Sequence, residues 1–304
     1  MAGRRPARRE REIREVVSIL RAQGLRLRVV PTAAPGSATE TAECSRAEGD
    51  DLVMACGGDG TINEVVNGLV PGPTPLAILP GGTANLIARE LNLPLSPLLA
   101  ARQLTTWRSR RLGLGLVTAA GLRSGAGSQM LRRYFLSVAG VGFDAYVIHR
   151  LSASLKLSLG VVGYALEAVR QALRYSFPRF VCYLEGREVQ ATLAVLQRTR
   201  YYAAWLRPSP QASVFDSQFS LCLFPSASRM RYFLYAAAVV ARRPLRDMEL
   251  LKTNQLVCTS QNHAPPIYLE VDGELSGQLP ATFEIVPDAL TVFAPAGSAV
   301  VSPA

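Results

Sequence analysis

Histidine and paired cysteine are scarce in this chain of 304 residues. It has two histidines, His149 and His263, and five cysteines, none of them in Cys-x-x-Cys spacing. That argues against a zinc finger or ribbon. Thiols scattered at positions 44, 56, 182, 222 and 258 fit a reducing cytoplasm. Long apolar runs are missing as well. The longest uncharged one, Tyr232 to Ala241, falls short of the ~20 residues a spanning helix needs. The first, Val16 to Leu20, is short and flanked by arginine, unlike a secretory signal. Any lipid partner would therefore be met at the membrane surface. Neither a Walker A loop (GxxxxGK[ST]) nor a full GxGxxG fingerprint occurs. Acidic residues are outnumbered, 23 against 33 basic ones, for a net charge of +10. Such a balance favours an acidic partner: nucleic acid, anionic lipid or phosphate ligands. Six arginines (4, 5, 8, 9, 11 and 14) crowd the start, where a solvated helix face and an anionic-surface contact are equal readings. No RNA- or DNA-binding motif accompanies them, so nucleic acid is not an expected partner.

With 49% apolar and 18% charged residues the chain is globular, and its length suggests two domains at roughly 150 residues each. Ile13, Val16, Val17 and Leu20 predict a helix over 8–23, and Leu25 to Val30 a short strand. Residues 32–49 suit a loop and a helix. Leu52 to Ala55 reads as a strand running into Cys56-Gly57-Gly58-Asp59-Gly60-Thr61, with a helix from Ile62 to Gly68. Leu76 to Leu79 repeats the device: strand, then Pro80-Gly81-Gly82-Thr83-Ala84-Asn85, then a helix through Leu91. Strand, glycine turn, helix, twice in succession, is the pattern of a parallel α/β sheet. Beyond residue 112 strand-like segments dominate, among them Tyr134 to Val138, Arg179 to Leu184, Phe219 to Phe224, Gln255 to Thr259, Ala281 to Val286 and Leu290 to Phe293. One helix is expected at about 155–174. The expected division is an α/β nucleotide-binding domain over 1–115 and a mostly antiparallel β domain over 116–304.

A glycine turn that opens a helix presents bare N–H groups to an anion, and glycine lets a phosphate approach the backbone. Asp59 adds a carboxylate able to hold Mg²⁺ on phosphate oxygens, and Thr61 adds a hydroxyl. Tight turns without a ligand are the other reading of the same glycines. Asp272-Gly273 lies between two strand-like segments, which is a hairpin signal. With Glu274 two residues on, it is equally a carboxylate pair able to meet a metal and a hydroxyl.

Gly57-Gly58-Asp59-Gly60-Thr61-Ile62-Asn63-Glu64-Val65-Val66-Asn67-Gly68-Leu69 resembles the signature of the diacylglycerol kinase and sphingosine kinase catalytic-domain family. Pro80 to Arg89 is similar to its second motif. Ala139-Gly140-Val141-Gly142-Phe143-Asp144-Ala145 and Val271-Asp272-Gly273-Glu274 resemble two later ones, and Leu279 to Pro295 the ending of bacterial members. The motifs follow in family order over nearly the whole chain. The resemblance implies an NAD kinase/phosphofructokinase-like domain with a parallel sheet, a β-sandwich domain after it, and ATP with Mg²⁺ as cofactors. It implies transfer of the ATP γ-phosphate to a membrane-lipid hydroxyl by a cytoplasmic enzyme that visits the membrane surface, with a homodimer an open assembly. Gly57, Gly58, Gly60 and Thr61 would cradle phosphates, with Glu64 from the same motif, and Asp59 would position metal or phosphate. Gly82, Thr83 and Asn85 would line the nucleotide, and Lys156 would reach phosphate. Asp272 would take the hydroxyl proton with Glu274 beside it, and Asp216 would hold a structural metal.

Departures from the pattern are equally specific. The family opens with a strand ending in Asn-Pro-x-Ser-Gly. Here Met1-Ala2-Gly3 stands inside that motif, so the expectation is a missing first strand or a start placed too late. A Leu-Asp-Leu-Gly segment reads Leu112-Gly113-Leu114-Gly115, and Leu86 stands where some members have aspartate. Gly-Gly becomes Ala203-Ala204, and Asp-Asp-Gly becomes Phe215-Asp216-Ser217. Two alternatives stay open: a non-catalytic nucleotide- or lipid-binding relative, and a kinase of a soluble hydroxyl substrate such as NAD.

Overall fold

Five consecutive buried residues, Leu76 to Pro80, form the strand around which the first part of the chain is organised. The computed structural model describes residues 6–122, 130–150, 167–202, 207–240, 243, 247–260 and 265–296. These divide into two compact units, residues 1–113 with 287–304 and residues 114–286. The first unit contains α1 (Pro6–Ala22), α2 (Ser37–Glu48), β1 (Val53–Gly57), α3 (Asp59–Leu69), β2 (Leu76–Pro80), α4 (Leu86–Glu90) and α5 (Pro97–Gln103). β1 runs parallel to β2 in a register from Val53↔Leu76 to Gly57↔Pro80. The far end of the long strand β13 (Glu274–Ala294) lies on the other side of β2, parallel, with Val292 opposite Leu76. β2 is thus a central parallel strand, which explains its unbroken apolar run. Helices α2 and α3 cross closely at Gly68, where an added Cβ would lie 2.3 Å from the Thr39 carbonyl oxygen.

The expected strand at Leu25 to Val30 does not form. Its alternation is real, since Leu25 and Leu27 are half-buried while Arg26 and Arg28 are exposed, but no neighbouring strand pairs with it among the described residues. Arg28 instead bridges Glu48 at 2.6 Å and Asp50 at 3.0 Å.

In the second unit a strand path runs β10 (Glu249–Thr253), β9 (Phe219–Phe224), β8 (Leu193–Gln197), β5 (Val138–Gly142), β12 (Tyr268–Val271), β13, β11 (Gln255–Ser260), β6 (Phe180–Leu184), β7 (Arg187–Ala191). Every pairing along it is antiparallel. The strand β3 (Arg108–Ala120) pairs with β4 (Met130–Phe135) from Gly115↔Phe135 to Ala120↔Met130. An apolar core around Phe135, Phe219, Leu221, Leu256 and Phe283 fills the unit. A second, aromatic core of Phe143, Tyr175, Phe177, Tyr232 and Tyr235 packs with Val195 and Cys222 beneath α6 (Phe143–Arg150) and α7 (Arg229–Val240). This is an α/β unit and a mostly antiparallel β-sandwich unit, the fold class expected. Three details differ. The two final strands are one, β13, which contains a residue of left-handed backbone, Asp288, with φ of 47°. Helices α5, α6 and α7 went unanticipated. Of the helix expected over 155–174, residues 167–172 are helical and 151–166 lie outside the described residues.

Candidate active site

The two glycine turns of the first unit touch through their backbones. The Gly81 N–H donates to the Gly57 carbonyl at 2.8 Å. A Cβ on Gly82 would stand 2.5 Å from the Gly58 Cα, and one on Gly57 2.7 Å from the Thr61 Cβ. Glycine is required at both for close approach. Asp59 opens α3, three residues earlier than expected, and its Oδ1 accepts from the Leu86 N–H at 2.8 Å, tying the start of α3 to the start of α4. Asn85, buried and at a φ of 50°, locks the second turn: its Oδ1 accepts from the Gly82 N–H at 3.0 Å and its Nδ2 donates to the Gly82 carbonyl at 3.1 Å. Gly58, Gly60 and Thr61 are half-buried at the first turn, and Gly82 and Thr83 are exposed at the second. The N-cap of α3 is Gly58, which brings no side chain to the first-turn N–H groups, and the start of a helix supplies these no intrahelical acceptor. Glu64 points elsewhere: its Oε2 accepts from the Ala38 N–H at 3.2 Å, capping α2. Of the residues expected at the nucleotide, Gly57, Asn85 and Glu64 hold the scaffold together, while Gly58, Gly60, Thr61, Gly82 and Thr83 stand at the accessible side of the two turns.

Beside these turns is a concavity walled by Arg9, Glu12, Ile13 and Val16 of α1 with Cys56, Gly81 and Pro97. Burial raises the Cys56 thiol above its ordinary range, and the Arg9 charge partly opposes this. Nothing in the spacing of the N-terminal arginines singled Arg9 out. Only the packing of α1 does.

In the second unit the Asp272-Gly273 hairpin forms between β12 and β13, with φ of 49° and 83° at its two central residues, as a type I′ turn requires. The Asp272 carboxylate accepts three backbone N–H groups: Oδ1 from Ser137 at 2.8 Å and Val138 at 3.0 Å, Oδ2 from Leu136 at 2.9 Å. Its own N–H donates to the Val138 carbonyl at 2.9 Å. The side chain is fixed against the start of β5. Glu274 Oε2 accepts from the Arg133 guanidinium at 2.6 Å. Three partners were not foreseen from sequence. Arg133 is one. Glu270, 2% exposed, accepts from the Gly273 N–H at 2.7 Å. Asp144, 4% exposed, accepts from the Tyr202 hydroxyl. Glu270 and Asp144 both lie over Gly140, where an added Cβ would be 2.9 and 2.6 Å from their carboxylate oxygens. Asp144 stands inside the family-like motif at 139–145, and Glu270 lies two residues before Asp272. Those are the signals that could have found them.

Asp216 lies in the second unit, with its Oδ2 2.9 Å from the Lys252 ammonium. Lys156 is outside the described residues. No set of three or more His, Cys, Asp or Glu gathers to hold a metal among the described residues.

Residues 2–117 match the diacylglycerol kinase catalytic domain, and residues 137–294 match the YegS C-terminal NAD kinase beta sandwich-like domain. A diacylglycerol kinase of Bacillus subtilis (strain 168) is 28% identical over 260 residues, covering 83% of this chain and 80% of that protein. One of Staphylococcus aureus (strain Newman) is 26% identical over 290 residues, covering 94% and 88%. The crystal structure of a diacylglycerol kinase from Bacillus anthracis str. Sterne shares the fold, with a TM-score of 0.69 at 18% identity over 95% of this chain and 93% of that one. The chain belongs to the bacterial diacylglycerol kinase-like lipid kinase family and is a phosphotransferase with an alcohol group as acceptor.

Proposed function

We propose that the protein transfers the γ-phosphate of Mg²⁺-ATP to the hydroxyl of a membrane lipid, diacylglycerol first among them. The first unit takes the nucleotide and the second the lipid. The observation that carries this reading is the backbone contact between the two glycine turns at the start of α3, where Gly82 approaches Gly58 too closely for any side chain. Amides at Gly60 and Thr61 hold phosphate oxygens, and Gly82 and Thr83 complete the lining. Lys156 is assigned to phosphate by the family resemblance alone. The names of the relatives support diacylglycerol as acceptor.

The turn suits a Mg²⁺ carried on the nucleotide, because that ion needs only one or two protein carboxylates and keeps its remaining ligands as water and phosphate. Asp59 supplies one carboxylate at the first residue of α3. Bound there, Mg²⁺ neutralises charge on the phosphates. Asp272 receives the lipid hydroxyl proton, and its three backbone N–H partners keep it from swinging. Glu274 and Arg133 flank the hairpin as an ion pair. Phosphoryl transfer asks chiefly for position and charge neutralisation, which a fixed carboxylate can give without strong basicity. No helix among the described residues is long and apolar enough to cross a membrane. The enzyme meets its lipid at the bilayer surface.

The test is transfer of label from γ-labelled ATP, with Mg²⁺, to vesicles containing diacylglycerol, to a panel of other alcohol lipids, and to NAD. Labelled phosphatidic acid is expected. Label on NAD alone, or on no acceptor while nucleotide still binds, ends the proposal. Asp59→Asn keeps an oxygen for the Leu86 N–H while losing the charge. Turnover is expected to fall about 100-fold or more with thermal stability little changed.

A further inference from the structure

Family resemblance assigns Asp216 a structural metal, but the surroundings of this residue do not fit one. Three oxygens such an ion could take are already bound by side-chain cations. Asp216 Oδ2 receives the Lys252 Nζ at 2.9 Å. The backbone carbonyl of Asp216 accepts from Arg198 Nη1 at 3.3 Å, and that of Val214 from Arg198 Nη2 at 2.5 Å. Arg198 is wholly buried. Hard divalent ions choose carboxylates and backbone carbonyls. Here both kinds of oxygen face positive charge, and a divalent ion among them would be repelled by two cations. No second carboxylate adjoins it either, since Phe215 and Ser217 flank Asp216.

We infer that Arg198 and Lys252 replace the structural metal, clamping the turn at 209–216 with the protein's own cations. Each comes from a different place: Arg198 directly follows β8, and Lys252 sits in β10 opposite Ser220 of β9. The turn they hold leads into β9, and it is itself ordered by the Asp216 N–H donating to the Ser213 carbonyl at 3.0 Å, with Ser209, Ala212 and Val214 buried. The clamp joins β8, the turn and β10 without a bound ion. Divalent metal is then needed only with the nucleotide, and the folded state itself is indifferent to it.

Thermal unfolding of the full chain without nucleotide or lipid tests this. It stands or falls separately from the kinase reading, because no turnover is measured. In EDTA, and in millimolar Mg²⁺, Ca²⁺ or Mn²⁺, Tm is expected to agree within about 1 °C, since an ion that binds only the folded state must raise it. Lys252→Met should lower Tm by about 2–4 °C in all four conditions alike. A rise of Tm with any of these ions that Asp216→Asn abolishes overturns the inference. So does a Lys252→Met protein as stable as the parent.

Discussion

At the scale of single residues, neighbouring glycines are not equivalent. A Cβ at Gly82 would meet the Gly58 Cα at 2.5 Å, and backbone cannot step aside. At Gly81 the nearest atom would be 3.6 Å away, an ordinary contact. Gly82→Ala is expected to cost about 1–3 kcal/mol in urea unfolding and to abolish phosphoryl transfer, whereas Gly81→Ala should stay within about 0.5 kcal/mol of the parent. Equal losses would show that the turns do not meet as described. Asp272→Asn is a mixed probe. Its carboxylate accepts N–H groups on both oxygens, so whichever way an asparagine amide is turned, its NH₂ faces a backbone donor. A loss of about 1–3 kcal/mol in stability is expected beside any loss of turnover, and an unchanged unfolding midpoint would contradict the three-amide cradle. The glycine turns and Asp272 were legible because their chemistry is local: a few adjacent residues specify a turn. Glu64 misled for the opposite reason. Its motif membership says nothing of the Ala38 N–H, which only the α2–α3 crossing brings to it.

Among elements, what can be read from sequence depends on whether an element carries its own hydrogen bonds. Helix α1 was foreseen almost to its ends, since a helix bonds within itself. The segment at 25–30 has the two-residue alternation of a strand yet pairs with nothing described, because a strand needs a partner that its own sequence does not name. The short helices α5 and α6 hide in apolar stretches too brief for a helical period to stand out from a strand's. α7 and the aromatic core beneath it have a titration consequence. Burial pushes the Cys222 thiol from 9.0 up to about 12 and raises the Tyr175 and Tyr232 phenols well above their usual range. All three stay protonated in the folded chain where the unfolded chain would ionise. Their contribution is whole below about pH 9 and is lost as pH climbs through the raised values. The urea midpoint should therefore fall steadily from about pH 9 to about pH 11, and Cys222→Ala should flatten the early part of that fall. A midpoint independent of pH over this range would refute the burial of these groups.

For the molecule as a whole, the sequence suggested an α/β part and a β-rich part, but not that the first unit is discontinuous. It is built from residues 1–113 and 287–304. Nothing local announces that Val292 will lie against Leu76, since strand order is a long-range property. Truncation after Val286 should therefore damage the first unit, although the cut lies far from it in sequence. Loss of amide-exchange protection across β1 and β2 is the expected result, and full protection there would contradict the pairing. The same pairing bears on biosynthesis. β2 is apolar throughout and acquires its second neighbour from a segment translated about 200 residues later. While the chain is being made, the edge of β2 that faces β13 keeps its backbone groups unpaired, from Leu76 to Pro80, until the end of the message is read.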